Sequence, residues 1–422
     1  MGKRRVFFFL MILFTIQFLD VYGVQRFPKP EFESGYIQPE TLQPAPRSEI
    51  LAILDVVVLA SALALVSWLV LKKRSRNGVF WTSVFSLAYF GFYREGCVCS
   101  IGSIQNVTLA LFENSYVIPL TVLAFFILPL LFTLFFGRTF CAGVCPFGAI
   151  QDLVSFKPQK LGPRLNAILG VIPYIYLGLA ILYAATGTDF IICRYDPFVG
   201  IFRFNASFGM LIFAGTLLVS GIFIARPYCR FLCPYGVLLN MVSRFSWRHI
   251  TITPTTCIQC RLCEESCPYD AINMPVTGRN PESKTVTTRK LILVSLLVPF
   301  FIVLGGWTGS RLHETLAGVN SKVRLAQTLL EPEKNAAQPE AFEITAYKSS
   351  GKAPSQVYGE ANRVLGQFYL GGWILGCFIG LVFGIILAGR LMTRYRTDYT
   401  PNKGTCFSCA RCVDYCPVER TV

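Results

Sequence analysis

Ile50-Leu-Ala-Ile-Leu-Asp55-Val-Val-Val-Leu-Ala-Ser-Ala-Leu-Ala-Leu-Val-Ser-Trp-Leu-Val-Leu71 contains one acidic residue and is followed at once by Lys72, Lys73, Arg74 and Arg76. An α-helix needs about 20 apolar residues to cross a hydrocarbon core of about 30 Å, so this stretch is long enough to span a bilayer. Six more apolar stretches approach or reach that length: Val79 to Tyr93, Tyr116 to Phe136, Leu165 to Ala185, Phe208 to Ala225, Leu291 to Trp307 and Phe368 to Gly389. The stretch from Val79 is short and aromatic, as expected of an interfacial or tilted end. Over 422 residues the hydrophobic content is 53% and the charged content only 15%, which excludes a soluble globular chain. The expected fold class is an all-α polytopic membrane protein of about seven transmembrane helices.

Lys3-Arg4-Arg5, the apolar run Val6 to Leu19 and Gly23 make residues 1–24 a signal peptide or an N-terminal anchor. Residues 25–49, with five prolines from Pro28 to Pro46, then read as an extended extracytoplasmic linker. Cytoplasmic loops carry the excess of Lys and Arg. The loop after Leu71 and the loop holding Arg138, Lys157, Lys160 and Arg164 are therefore inside, whereas those holding Arg94 or Arg194 and Arg203 are outside. Continued alternation gives a transmembrane core at 50–245, cytoplasmic segments at 246–290 and 390–422, spans at 291–307 and 368–389, and an extracytoplasmic loop at 308–367 that begins helical at Val319 to Leu330. The net charge of +15 then faces anionic lipid headgroups, so membrane lipid accounts for it and no nucleic acid is needed.

The two cytoplasmic segments carry the same cysteine run. Cys257, Cys260, Cys263 and Cys267-Pro268 follow the pattern C-x2-C-x2-C-x3-C-P, as do Cys406, Cys409, Cys412 and Cys416-Pro417. A zinc ribbon needs only paired C-x2-C knuckles. The third cysteine, the proline and the repetition point instead to two [4Fe-4S] clusters in ferredoxin-like segments. The expected location is a bacterial inner (cytoplasmic) membrane, multi-pass, with these segments cytoplasmic. In that pattern the fourth ligand comes from the opposite run, so Cys416 is expected to close the set Cys257, Cys260, Cys263, and Cys267 the other.

A second motif repeats inside the core. Cys141-x3-Cys145-Pro146-Phe-Gly and Cys229-x3-Cys233-Pro234-Tyr-Gly each follow an apolar stretch, and each is preceded, one crossing earlier, by an outer cysteine loop: Arg94-Glu95-Gly96-Cys97-Val98-Cys99 and Cys193-Arg194-Tyr195-Asp196-Pro197. Two related hairpins packed about a pseudo-two-fold axis would bring Cys141, Cys145, Cys229 and Cys233 to one tetrathiolate site, whose soft donors select iron-sulfur, Cu(I) or zinc. The plainer reading is four buried helix-end cysteines. Cys97, Cys99 and Cys193 are candidates for metal ligation or for a disulfide, and Cys377 for packing. With only His249 and His313, bis-histidine haems are excluded, and His249 is expected at the interface beside Trp247 and Arg248. Asp55 invites a proton or quinone role, but its place near the outer end of its span favours simple solvation. Arg94, Glu95, Arg194, Asp196 and Arg203 are expected either to pair with one another or to guide a charged partner.

The residues quoted above, from Arg94-Glu95-Gly96-Cys97-Val98-Cys99-Ser100 through both ferredoxin runs, resemble the membrane polyferredoxins of the NosR and NapH type over roughly Ile50 to the C-terminus. The resemblance implies electron transfer between the membrane or cytoplasm and an outward-facing redox partner, often a flavoprotein, with the chain as an electron-transfer subunit of an oxidoreductase system. No flavin-binding domain precedes the first span and the second run follows a further span, so the flavin is expected on a separate extracytoplasmic subunit.

A hydrocarbon core of about 30 Å is too wide for one efficient tunnelling step between surface clusters. The core cysteines, as an additional cluster or metal site, or a quinone held between helices, are the candidates for the intermediate station. Two other functions fit parts of the pattern: a membrane copper or iron reductase or assembly factor using the C-x3-C-P thiols as a Cu(I) site, and a redox-sensing scaffold. Copper binding lost on replacing Cys141 and Cys145 with serine, with clusters intact, would favour the metal-handling reading.

Overall fold

The computed structural model describes residues 48–96, 99–114, 116–156, 158–252, 257–276, 284–330, 347, 353–391 and 396–418. Residues 1–47, and with them the leader and most of the linker, lie outside this set, as does Cys97.

α1 (Glu49–Trp68) continues in a wider turn to Lys73 and stops at Arg74, whose φ is 53°. Ser75 then caps α2 (Arg76–Ser86), its hydroxyl accepting the Gly78 N–H at 3.2 Å, and α2 carries on in wide turns to Tyr93. α3 (Ser103–Phe112) and α4 (Leu120–Phe136) follow. At the end of α4 comes a broken element, α5 (Thr139–Gly143) and α6 (Pro146–Leu153), with Cys145 as N-cap and Pro146 at the first helical position, where its missing N–H costs nothing. The second half repeats this design. α7 (Pro163–Leu169) and α8 (Ile172–Ala185) lead through the short α9 (Ile191–Tyr195) and α10 (Pro197–Phe202) to α11 (Phe208–Phe223), and α11 ends in α12 (Pro227–Phe231) and α13 (Pro234–Ser243), with Cys233 as N-cap.

Among the described residues, four helices are long and apolar enough to cross a membrane: Glu49–Lys73, Pro163–Ala185, Thr285–Arg311 and Pro354–Leu391. α3, α4 and α11 are apolar but shorter. The long pair α15 (Lys284–Arg311) and α18 (Pro354–Leu391) packs backbone to backbone, because a Cβ at Gly305 or Gly309 would overlap the chain at Gly376 or Gly372. Between them lie α16 (His313–Ala317) and α17 (Ser321–Leu330), the latter close to the helix expected at Val319 to Leu330. α18 joins the core by laying Phe368 against Tyr183, with ring centroids 5.9 Å apart, and Leu375 over Gly178. The ferredoxin runs hold α14 (Leu262–Glu265) and α19 (Arg411–Asp414) and are stitched together by an antiparallel pair, β1 (Ile272–Asn273) with β2 (Thr400–Pro401), in the register Ile272 to Pro401.

One expectation is corrected here. Asp55 is not solvated: it is 1% exposed, 2.9 Å from the Arg94 Nε, and accepts the Tyr89 hydroxyl at 2.8 Å. A carboxylate among apolar side chains persists only with such partners, and α2 returns Arg94 and Tyr89 to its side. His249, beside the exposed Trp247 and Arg248, turns its imidazole into the protein. Both its ring nitrogens are buried without a hydrogen-bond partner, under the turn at Gly137 and near Ser408. Gly137 has φ 75° and no room for a Cβ, so glycine is required where the histidine packs.

Candidate metal centres

Each ferredoxin cavity draws walls from both runs. Cys257, Cys260, Cys263 and Cys416 line one, with Ile252 and Tyr399 (site I). Cys267, Cys406, Cys409 and Cys412 line the other, with Tyr269 and Phe407 (site II). The grouping is the crossed one read from the sequence. Within the runs, Gln259 and Arg261 have φ of 52° and 64°, and the equivalent Ser408 and Ala410 have 53° and 62°. None is glycine, so each position stores strain of about 1–3 kcal/mol. Alternating right- and left-handed residues turn successive N–H groups toward one point and form the concavity that iron-sulfur sites use; one such bond runs from Ser408 N to the Cys406 Sγ at 3.4 Å.

Burial pushes the Cys263 thiol up to about 11 and the Cys406 thiol up to about 12, and raises those of Cys267 and Cys412 as well. Without a bound cation these thiols keep their protons; a metal centre would displace them and restore neutrality. Soft donors in two sets of four, backbone N–H groups directed inward and apolar walls fit a cubane at each site. Cys412 lies within electrostatic reach of Cys263, so sites I and II are neighbours.

The core cysteines converge as well. Cys141, Cys145, Cys229 and Cys233 each lie within electrostatic reach of the other three, forming site III. Three of the four are buried and Cys229 is half-buried. Their sulfurs accept hydrogen bonds from Arg138 Nη2 to Cys141 at 3.7 Å, from Gln151 Nε2 to Cys229 at 3.3 Å and from the Gly236 N–H to Cys233 at 3.3 Å. Among the described residues no three Cys, His, Asp or Glu side chains stand at the separation of ligands to a single ion.

The loops carrying Cys99 and Cys193 approach this site. Cys99 lines an apolar cavity together with Cys145 and Phe147, and a second cavity together with Cys193, Asp196 and Arg203. The Tyr228 hydroxyl, one residue before Cys229, donates to Asp196 at 2.8 Å, and Phe147 stacks on Phe202 at 5.6 Å. The arginines of these loops have partners within the chain: Arg94 has the buried Asp55, and at the surface Arg194 has Asp189 at 2.9 Å and Arg203 Nε the Glu95 carbonyl at 3.3 Å.

Sequence reasoning passed over two buried arginines. Arg138 and Arg226 stand three residues before Cys141 and Cys229, at equivalent places in the repeat, and are 4% and 0% exposed. Arg226 is held by Asp152 at 2.6 and 2.8 Å and donates to the Ala142 carbonyl at 3.2 Å. Each crosses to the other half: a Cβ on Gly148 would meet Arg226, and one on Gly236 would meet Arg138. The signal lay in extending the repeat three residues backward.

A 4Fe-4S binding domain model matches residues 118–164 and 206–253, each containing one C-x3-C-P motif, and another matches residues 250–273. The chain is 30% identical to protein NirI of Paracoccus denitrificans over 248 residues, 55% of this chain and 36% of that one. It is 28% identical to the regulatory protein NosR of Pseudomonas aeruginosa over 229 residues, 48% of this chain and 30% of that one. To the methylamine utilization ferredoxin-type protein MauN of P. denitrificans it is 28% identical over 148 residues, 33% of this chain and 51% of that one. The chain thus spans between about a third and a half of these relatives' length. No solved structure matches it.

Proposed function

Since the chain belongs to the membrane polyferredoxins of the NosR and NirI type and carries 4Fe-4S binding domains, we propose that it conducts electrons through the membrane. The route runs between the end of the bundle holding both ferredoxin runs, on the cytoplasmic face of a bacterial inner membrane crossed seven times, and a separate flavoprotein docked at the opposite end.

The observation that carries this reading is the continuity of sulfur through the fold. Cys263 of site I neighbours Cys412 of site II; Arg138 lies between Cys406 of site II and Cys141 of site III; Cys99 shares one cavity with Cys145 and another with Cys193. A gap of about 30 Å, too wide for one step, becomes a series of short ones.

Eight cysteines, Cys257, Cys260, Cys263 and Cys416 with Cys267, Cys406, Cys409 and Cys412, hold two clusters. Cys141, Cys145, Cys229 and Cys233 hold a third redox group. When bound, such groups supply one-electron chemistry. The protein's own part is positional: donors on Cys141, Cys229, Cys233 and Cys406 favour the more negative state of those sulfurs, and Phe147, stacked on Phe202, walls the apolar cavity shared by Cys145 and Cys99. A cavity of about 300 Å³ between sites II and III, lined by Tyr174, Phe231, Arg230 and Ile386, offers room for a quinone ring at the same level.

Anaerobic iron and acid-labile sulfide content, read with electron paramagnetic resonance, tests the proposal. About eight irons per chain match two cubanes alone, and an excess with a third signal is the expected result. A colourless protein without sulfide would overturn it.

A further inference from the structure

The two repeat-related arginines differ in one respect that chemistry cannot ignore. Arg226 is neutralised by Asp152, which Arg76 also approaches at 3.3 Å. Arg138, 4% exposed, forms no ion pair with a carboxylate among the described residues. Its Nη1 donates to the Gly404 carbonyl at 3.1 Å, its Nη2 points at the Cys141 Sγ at 3.7 Å, its guanidinium lies 4.3 Å over the Phe407 ring, and its buried Nε has no acceptor. A buried cation without a counter-charge is strongly disfavoured. What surrounds it is sulfur: Cys141 and Cys229 on one side, Cys406 on the other, all within its electrostatic reach.

We infer that Arg138 is the shared counter-charge of sites II and III, a positioning residue that raises the reduction potential of both and ties one to the other. The inference rests on the reading of site III as a redox site. Arg138 is fixed between them by Gly404 and Phe407, both of the second ferredoxin run, and by Cys141 of the first C-x3-C-P loop. One fixed positive charge favours the electron-rich state on either side, and in a low-dielectric setting its effect extends across both. Site I is screened from it by site II and serves as an internal reference. Gln151, whose amide donates to Cys229 and forms no hydrogen bond to a site II cysteine among the described residues, provides a second contrast.

The test is a redox titration of the full chain, with the resonance signals of the three sites followed separately in wild type, R138Q, R138K and Q151L, and iron content measured on each preparation. R138Q is expected to disfavour reduction at sites II and III by about tenfold, a fall of about 59 mV for one electron, with site I unmoved. R138K, which keeps the charge though not the guanidinium fork, is expected to stay within about threefold of wild type at both, and Q151L to lower site III alone. If R138Q loses iron, R138K decides: a fall at both sites despite the retained charge overturns the inference. So does an R138Q protein in which neither signal moves, or only that of site II. A wild type without any third signal sinks the reading of site III itself, and the inference with it; a third signal indifferent to R138Q sinks the inference alone.

Discussion

The Tyr228 hydroxyl donates a 2.8 Å hydrogen bond to Asp196, joining the loop that carries Cys229 to the loop that carries Cys193. The two loops were expected at opposite faces of the bilayer, yet they touch. Asp196 also accepts the N–H groups of Phe198 and Val199 and is 5% exposed, so the contact lies within the packed core. Segments expected to enter from opposite ends therefore meet inside the packed core.

Tyr228→Phe removes one donor from a buried carboxylate. A hydrogen bond to a charged group is worth about 1.5–3 kcal/mol, so unfolding in detergent is expected at lower denaturant by that amount. Unchanged stability would mean that Asp196 does not depend on the phenol.

Asp152→Asn strips Arg226 of its counter-ion while preserving shape. The side chains of this pair are 3% and 0% exposed, and breaking such a pair costs about 3–5 kcal/mol. Burial opposes ionisation of Asp152, but Arg226 beside it prevails and lowers it to about 2, so the wild-type pair contributes stability above the ordinary value of 3.8 and loses it as pH falls toward 2. Acid unfolding of the variant is expected to lose that component, as monitored by circular dichroism across pH 5 to 2.

His249 gives a second, separate pH window. Burial, with Lys403 adding to it, lowers its pKa from 6.5 to about 4, so the folded chain refuses a proton that the unfolded chain accepts. Stability is whole above pH 6.5 and declines as pH falls toward 4. His249→Phe is expected to flatten the profile in that interval, and an identical slope in the variant would assign the decline elsewhere.

Cys416→Ser is expected to abolish the resonance signal of site I and leave that of site II, although Cys416 follows directly on the site II cysteines in the chain. Loss of the site II signal instead would mean that each run closes its own cluster.

Much of this was legible in the chain. Each of the seven apolar stretches is helical over most of its length, and the crossed partition of Cys267 and Cys416 followed from the repetition of one spacing. The arginines were not legible, because a count of positive charges treats Arg138 as a loop cation at the lipid headgroups, whereas in the fold it turns inward to sulfur. Asp55 was misread for a related reason: its partner Arg94 lies on another helix, and pairing across helices leaves no local pattern. Nor does any periodicity reveal that α10 and α12 meet through Phe198 and Tyr228, whose rings are 5.2 Å apart.

The stitching of Ile272 to Pro401 has a consequence for how the chain is made. The α15–α18 hairpin is synthesised between the two halves of every ferredoxin cavity. Neither hollow exists on the ribosome until that hairpin has been inserted and the residues beyond Thr400 have emerged. Iron delivery must therefore wait for translation to pass that point, and an interrupted transcript yields a bilayer protein that cannot be charged.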